Sequence, residues 1–458
     1  MGHPWVGRSD VVNLGVLTQF VPPWLVDGAI AGRTRDRARR VGPISMRFAA
    51  YYELALALFA QESYEQVCEN LIESIPALAG LLPAKSALLG ARRRLGPEAV
   101  RAIFEQVAGA PVASPDTIGA RWHGLRVLGV DGMVVAMPET GANRAHFGGP
   151  TAMRRKVIEI AGQPQARVVA LVECGTRAPV AASIGTYHHD ERVLAEDLCK
   201  HVGPGDVVVF DRGFPKVALW QCFAATGAKI VMRAAAGIGT RIVQELPDGS
   251  YLAEIRVDKR ATSPSITVRV IEYQAGSATT IRLLTNTLEP DLYPAEQIAA
   301  LYRERWQHEI ANLQLKTLQI RRGKVPLRSG NPDEVYQELW AHLTVNNALT
   351  RLSTLIADER RQDPERVSFT QILAKARRTV TTQAHAALHT LAHTARAITS
   401  DIADDLRRYR NPAREPRTSE RSIKSARQRY PYRRPGTTNQ PVTRKTTPTT
   451  IKLLPHPN

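Results

Sequence analysis

Apolar residues recur at helical spacing from about residue 10 to residue 110, and the pattern predicts a set of helices there. SMRFAAYYELALALFA presents an apolar helical face. Ser63 and Gln66 make a capping box that opens SYEQVCENLIES, and Gly96-Pro97 opens another short helix. After about residue 120 the period shortens. LRVLGVD (125–131) is a β-prone run ending in an acid, and ARVVALVEC (166–174) and PVAASIGTY (179–187) read as hairpin partners. ERVLAEDLCKHV (191–202) reads as a helix, GDVVVFD (205–211) as an apolar strand that again ends in an acid. PKVALWQCFAATG (215–227) is a helix stopped by glycine before the strand KIVMRAA (229–235). Strands joined by helical crossovers imply a mixed sheet with a parallel part.

Residues 236–286 alternate like antiparallel strands, with turns at Asp248-Gly249 and Gly276-Ser277. This reads as a β-rich insertion in an α/β domain. Pro294 starts a long helix over about 295–319, and two or three more helices fill 333–405. Beyond about 406 the chain is rich in Arg, Pro and Thr and is expected to be disordered. The expected organisation is a helical N-terminal domain (1–120), an α/β catalytic domain (121–405) and a basic tail (406–458).

Charge sharpens the picture. The net charge is +18 with a pI near 10.1, which points to a polyanionic partner. From Arg407 onward there are 14 Lys/Arg against two acids, so the tail carries +12 of that total. Such a tail suits a non-specific anchor as well as a specific contact. Arg33 to Arg40 and the triple Arg92–Arg94 give the helical region basic surfaces, which suit DNA contact or mere solvation. The cysteines Cys68, Cys174, Cys199 and Cys222 lack paired metal spacing and are expected reduced, in a cytoplasmic protein. The start of the chain does not read as a secretory signal, and the longest apolar stretch is too short to span a bilayer and carries Glu53.

The candidate chemistry lies at three acids. Asp131 and Asp211 each end an apolar strand and precede a glycine-containing turn. In open α/β sheets ligands gather at such strand ends, although an Asp there is ordinarily a turn former or cap. Glu309 lies in LYRERWQHEIANLQLK. At about 100° per residue, Arg305, Glu309 and Lys316 fall within about 60° of Tyr302, beside the apolar stripe of Trp306, Ile310 and Leu313. That stripe can line a charged cleft, or it can be an ordinary face on which Arg305 and Glu309 pair. Three carboxylates around Mg²⁺ or Mn²⁺ suit phosphodiester chemistry, with cations beside them for phosphates. His188-His189-Asp190 reads as a surface turn rather than a metal site, and AAAGIGT (234–240) as a turn rather than a phosphate loop.

Tyr302-x2-Arg305-x3-Glu309-x6-Lys316 matches the YREK signature of the insertion-sequence-four family of DDE transposases, and the chain resembles that family in its other blocks too. DGMVVAMPETGANRAHFG (131–148) is similar to its first-Asp block, VVFDRGF (208–214) to its second, and residues 327–352 to the helix after the glutamate. FAAYYELALALF resembles its N-terminal domain. The resemblance implies an RNase H-like mixed sheet flanked by helices. It makes Asp131, Asp211 and Glu309 the metal-binding triad for two ions and gives Tyr302, Arg305 and Lys316 the phosphates of the element end. It implies double-stranded DNA partners (terminal inverted repeats and target), a homodimer in the DNA complex, no membrane, and a cytoplasmic, nucleoid-associated enzyme. One departure is that no Trp lies between Trp220 and Trp306 to stack a flipped base, which leaves Tyr251 or Tyr273 as substitutes. A non-transposing nuclease on the same fold and a catalytically silent DNA-binding descendant are the competing readings.

Overall fold

A computed structural model describes the chain except residues 1–8, 36–43, 74, 76–77, 79, 155–156, 215, 235–237, 240, 257–264, 276–279, 305–326, 384–396, 398, 405–410, 412–450 and 454–458. Two compact units emerge, Met1–Ala228 with Arg305–Ala413, and Lys229–Glu304 with Arg414–Asn458.

The first unit begins with α1 (Pro23–Ile30), α2 (Met46–Leu58), α3 (Tyr64–Ile72), α4 (Lys85–Leu95) and α5 (Pro97–Ala108). Ser45 and Ser63 cap α2 and α3 by accepting the N–H of Phe48 and Gln66, each at 3.1 Å. Gly96, at φ 75°, turns the chain between α4 and α5, and Pro97 takes the first position of α5. Every residue of α2 from Phe48 to Leu58 is buried, as expected of a helix surrounded by core. Glu53 is tolerated there because Arg92 binds it twice, Nε to Oε2 at 2.5 Å and Nη2 to Oε1 at 3.0 Å. The triple arginine is therefore not a uniform basic surface. Arg92 is fully buried, and Arg93 pairs with Glu334 at 3.1 Å. Burial works against the Arg92 charge and is outweighed by Glu53, which raises the pKa. Residues 36–40 of the upstream arginine run lie outside the described residues.

The sheet of this unit follows. The strands are β1 (Arg121–Trp122), β2 (Leu125–Ala136), the β3/β4 hairpin (Thr151–Arg154 and Val157–Ile160), β5 (Gln165–Glu173), β6 (Ala178–Thr186) and β7 (Asp206–Phe210). Between them lie α6 (Gly141–Phe147), α7 (Glu191–Glu196) and, after β7, α8 (Val217–Ala224). The order is β6-β5-β2-β7, with β5 antiparallel to both neighbours and β7 parallel to β2. A three-stranded meander with the next strand laid parallel beside its first is the RNase H-like arrangement. Three expectations are corrected here. β2 does not stop at Asp131 but runs on to Ala136, because β5 continues to pair with it. The helix over 191–202 ends at Glu196 and tightens into a 3-10 turn at Cys199–His201 before Gly203-Pro204. Cys199 and Cys222 are joined in a disulfide, their Cα atoms 6.2 Å apart where α8 meets the turn after α7, while Cys68 and Cys174 are buried elsewhere in the unit.

The second unit holds β8 (Lys229–Arg233), β9 (Arg241–Glu245), β10 (Tyr251–Arg256), β11 (Ser265–Ala275) and β12 (Thr280–Thr285), then α9 (Ala295–Glu304). Their order is β8-β12-β11-β10-β9, antiparallel throughout, as the alternation in residues 236–286 predicts. Gly249 (φ 79°) makes the β9–β10 turn. Arg269 lies buried in this sheet, with Nη1 on the carbonyls of Thr287 and Tyr293 and Nε on Ser250. Its remaining nitrogen binds Asp248.

The first unit resumes with α10 (Pro332–Glu359) and α11 (Phe369–Gln383), two of the C-terminal helices expected. Most of the tail lies outside the described residues. Within it, Ile451–Leu453 forms β13, paired antiparallel with Tyr273–Ala275. Among the described residues no helix is long and apolar enough to cross a membrane.

Candidate active site

β2 and β7 pair in parallel from Arg126↔Asp206 to Val130↔Phe210. The residue that follows each member of the last pair is an aspartate, Asp131 within β2 and Asp211 just past the end of β7. The apolar run VVVF buries β7 completely, and Val127 to Val130 are buried beside it, so the backbones that carry the two acids are fixed by core packing. Paired strands lie about 4.8 Å apart, which brings the two acids to one edge although 80 residues separate them in sequence. Both are partly exposed. Each is held by its own chain: Asp131 Oδ1 accepts the Gly132 N–H at 2.9 Å, and Asp211 Oδ1 accepts the Arg212 N–H at 2.7 Å. A tight turn follows Asp211, with the Phe214 N–H on the Asp211 carbonyl at 3.1 Å.

Gly132 packs against the end of the Glu191 side chain. A Cβ there would meet the carboxyl carbon and oxygens of Glu191 at 2.8 to 3.1 Å. Glu191 opens α7 directly after its cap Asp190, and Arg167 of β5 neutralises it. Nothing in the sequence pattern marks Glu191 as a neighbour of the Asp-Gly pair; only the fold brings it there. His188, His189 and Asp190 are exposed in the turn before α7, as expected of a surface turn.

Of the remaining sequence candidates, Arg305, Glu309 and Lys316 lie outside the described residues. Tyr302 is buried on α9. Among the described residues no three His, Cys, Asp or Glu side chains gather as a metal site. Two carboxylates in adjacent register nonetheless supply the hard oxygen donors that Mg²⁺ or Mn²⁺ takes. Tyr251 and Tyr273 do not replace the missing tryptophan as stacking faces. Both are buried in the second unit's sheet, and the Tyr251 hydroxyl is engaged with Glu272 at 3.2 Å.

Comparison with known proteins agrees with this geometry. Residues 11–105 match the family described as insertion element 4 transposase N-terminal, and residues 122–347 match the transposase DDE domain. Together the matches span well over half of the chain. The chain is 25% identical over 437 residues to transposase InsG for insertion sequence element IS4 of Escherichia coli (strain K12), covering 93% of this chain and 94% of that protein. Among solved structures, the piggyBac transposase synaptic complex with hairpin DNA is similar over 84% of each chain, at 10% identity and a TM-score of 0.43, a likeness on which nothing further rests. The chain belongs to the insertion element 4 family of DDE transposases, enzymes of DNA cleavage and strand transfer that bind DNA and depend on divalent metal.

Proposed function

We propose that this transposase cuts the ends of an insertion element and joins them to target DNA, with Asp131, Asp211 and Glu309 as its metal-binding triad. The observation that carries the reading is the register of β2 and β7, whose last pair, Val130↔Phe210, directly precedes the two aspartates. The carboxylates of the triad would hold two divalent ions, Mg²⁺ or Mn²⁺. When bound, such ions activate an attacking oxygen and stabilise the leaving one. The rigid strands keep Asp131 and Asp211 in place, so the two acids need little reorganisation around a phosphodiester. Tyr302, Arg305 and Lys316 orient the phosphates flanking the scissile bond, the cations by charge-assisted hydrogen bonds.

In this reading residues 1–120 bind DNA, residues 121–405 form the catalytic domain with its β-rich insertion at about 236–286, and the basic tail from 406 adds non-specific attraction to the phosphate backbone. The partners are the element's terminal inverted repeats and a target duplex, and two copies of the chain bridge two ends. The test uses pre-cut element ends, a target plasmid and Mg²⁺. Joined products are expected. Hydrolysis alone would make the protein a nuclease, and binding without metal-dependent cutting would make it a silent descendant.

A further inference from the structure

The turn after β7 is anchored at both ends and open between them. Phe210 and Phe214 are buried, their ring centroids 6.1 Å apart, and the Phe214 N–H closes the turn on the Asp211 carbonyl. Arg212 and Gly213, between Asp211 and Phe214, are both exposed, and a Cβ added at Gly213 would meet nothing within 4 Å. The Arg212 N–H holds Asp211 Oδ1 at 2.7 Å, whereas its guanidinium makes no hydrogen bond or ion pair among the described residues. Other basic side chains on the segments around the two aspartates are matched. Arg167 pairs with Glu191, Arg192 with Asp190 at 2.6 Å and Lys216 with Glu196 at 3.0 Å. Among the described residues of these segments, Arg212 is the cation left uncommitted, with its fork of N–H donors available.

Carboxylates repel an approaching phosphodiester strand, so the strand gains from a cation that no acid of the protein has neutralised. A planar guanidinium takes two oxygens of one phosphate at once, and its charge makes those hydrogen bonds strong. We infer that Arg212 is a further substrate-binding residue of the cleavage reaction, its guanidinium on the non-bridging oxygens of a phosphate adjoining the scissile one. The buried phenylalanines on either side fix the turn that presents it, and its own N–H joins it to Asp211, so the phosphate contact and the acid share one rigid support. This inference rests on Asp211 standing at the point of cleavage, as proposed above.

The test uses the full-length protein and duplexes of the element end in which one phosphate beside the cut is replaced by an uncharged methylphosphonate. Single-turnover cleavage in Mg²⁺ is measured for the parent, Arg212→Ala and Arg212→Lys, and Mn²⁺ binding without DNA is followed by electron paramagnetic resonance. Arg212→Ala is expected to slow cleavage by about tenfold or more, with Mn²⁺ binding and cooperative unfolding unchanged. Arg212→Lys, which keeps the charge and loses the fork, should recover part of the rate. Neutralising the contacted phosphate should slow the parent and leave Arg212→Ala no slower than on unmodified DNA. Parental cutting by a folded Arg212→Ala overturns the inference. So does a methylphosphonate that slows parent and variant by the same factor on both sides of the cut, or a loss of Mn²⁺ binding in Arg212→Ala, which would make the residue a support for Asp211. If Arg212→Ala does not fold, Arg212→Gln takes its place in each comparison. Asp211→Asn separates the two readings. Loss of cleavage there with none in Arg212→Ala leaves the triad standing and removes the phosphate contact, while undiminished cleavage in Asp211→Asn removes both.

Discussion

Val130 and Phe210 are the last paired residues of two parallel strands, and an aspartate follows each of them. The pairing turns two unremarkable strand-end acids into neighbours. Gly132, which follows Asp131 within β2, lies against the Glu191 carboxylate.

The triad reading predicts that Asp131→Asn, Asp211→Asn and Glu309→Gln each lower cleavage of an element end by roughly a thousandfold or more. A gel-shift assay with the same end should show unchanged binding. Near-parental cutting by any one of the three removes it from the site.

Arg305→Ala should act differently. It removes a phosphate contact and leaves the acids, so Mn²⁺ affinity stays as in the parent while the cleavage rate falls. Unchanged single-turnover kinetics would take Arg305 out of the site.

The pair Glu53–Arg92 is buried completely, with both side chains inaccessible. Breaking it from one side strands a charge in the core, so Glu53→Leu or Arg92→Met should each cost about 3–5 kcal/mol in urea unfolding. The double substitution Glu53→Leu with Arg92→Met should recover part of that loss. If the double variant is as unstable as the sum of the singles, the ion pair is not what links these positions.

His342 lies buried on α10, where burial first and the Arg328 charge second push its pKa down to about 3. The folded protein therefore keeps it neutral while the unfolded chain protonates below its ordinary 6.5. Its contribution to stability is present above that value and is lost as pH falls toward about 3. The slope from this group is at most about 1.4 kcal/mol per pH unit. Glu338, raised by burial, works in the opposite sense. The comparison is therefore between the parent and His342→Asn, whose stability should fall less steeply from pH 6 to pH 4. Parallel curves would contradict the assignment.

Much of this was legible in the sequence, for identifiable reasons. The apolar strand VVVF and the hairpin pair 166–187 announce themselves because burial on both faces and alternation leave few other choices. Ser63 and Pro97 mark helix starts because capping is a local interaction. What sequence could not show depends on long-range packing. Asp131 looked like a strand end because Gly132 interrupts the apolar run, yet pairing with β5 carries the strand onward. Arg92 looked like surface charge because its partner Glu53 is 39 residues away. Tyr251 and Tyr273 looked available for stacking because alternation does not say which face the sheet buries. Asn143 and Ser329 meet only through the fold, 186 residues apart.

Metal identity at the two aspartates tests the central claim most directly. Replacing Asp131 or Asp211 with Cys exchanges a hard oxygen for a soft sulfur, which holds Mg²⁺ poorly and accepts Mn²⁺ more readily. Cleavage of an element end by Asp131→Cys and Asp211→Cys should vanish in Mg²⁺ and return in part in Mn²⁺, while the parent cuts in both. Equal cutting in the two metals by either variant, or loss that Mn²⁺ does not relieve in both, would contradict direct metal binding by Asp131 and Asp211.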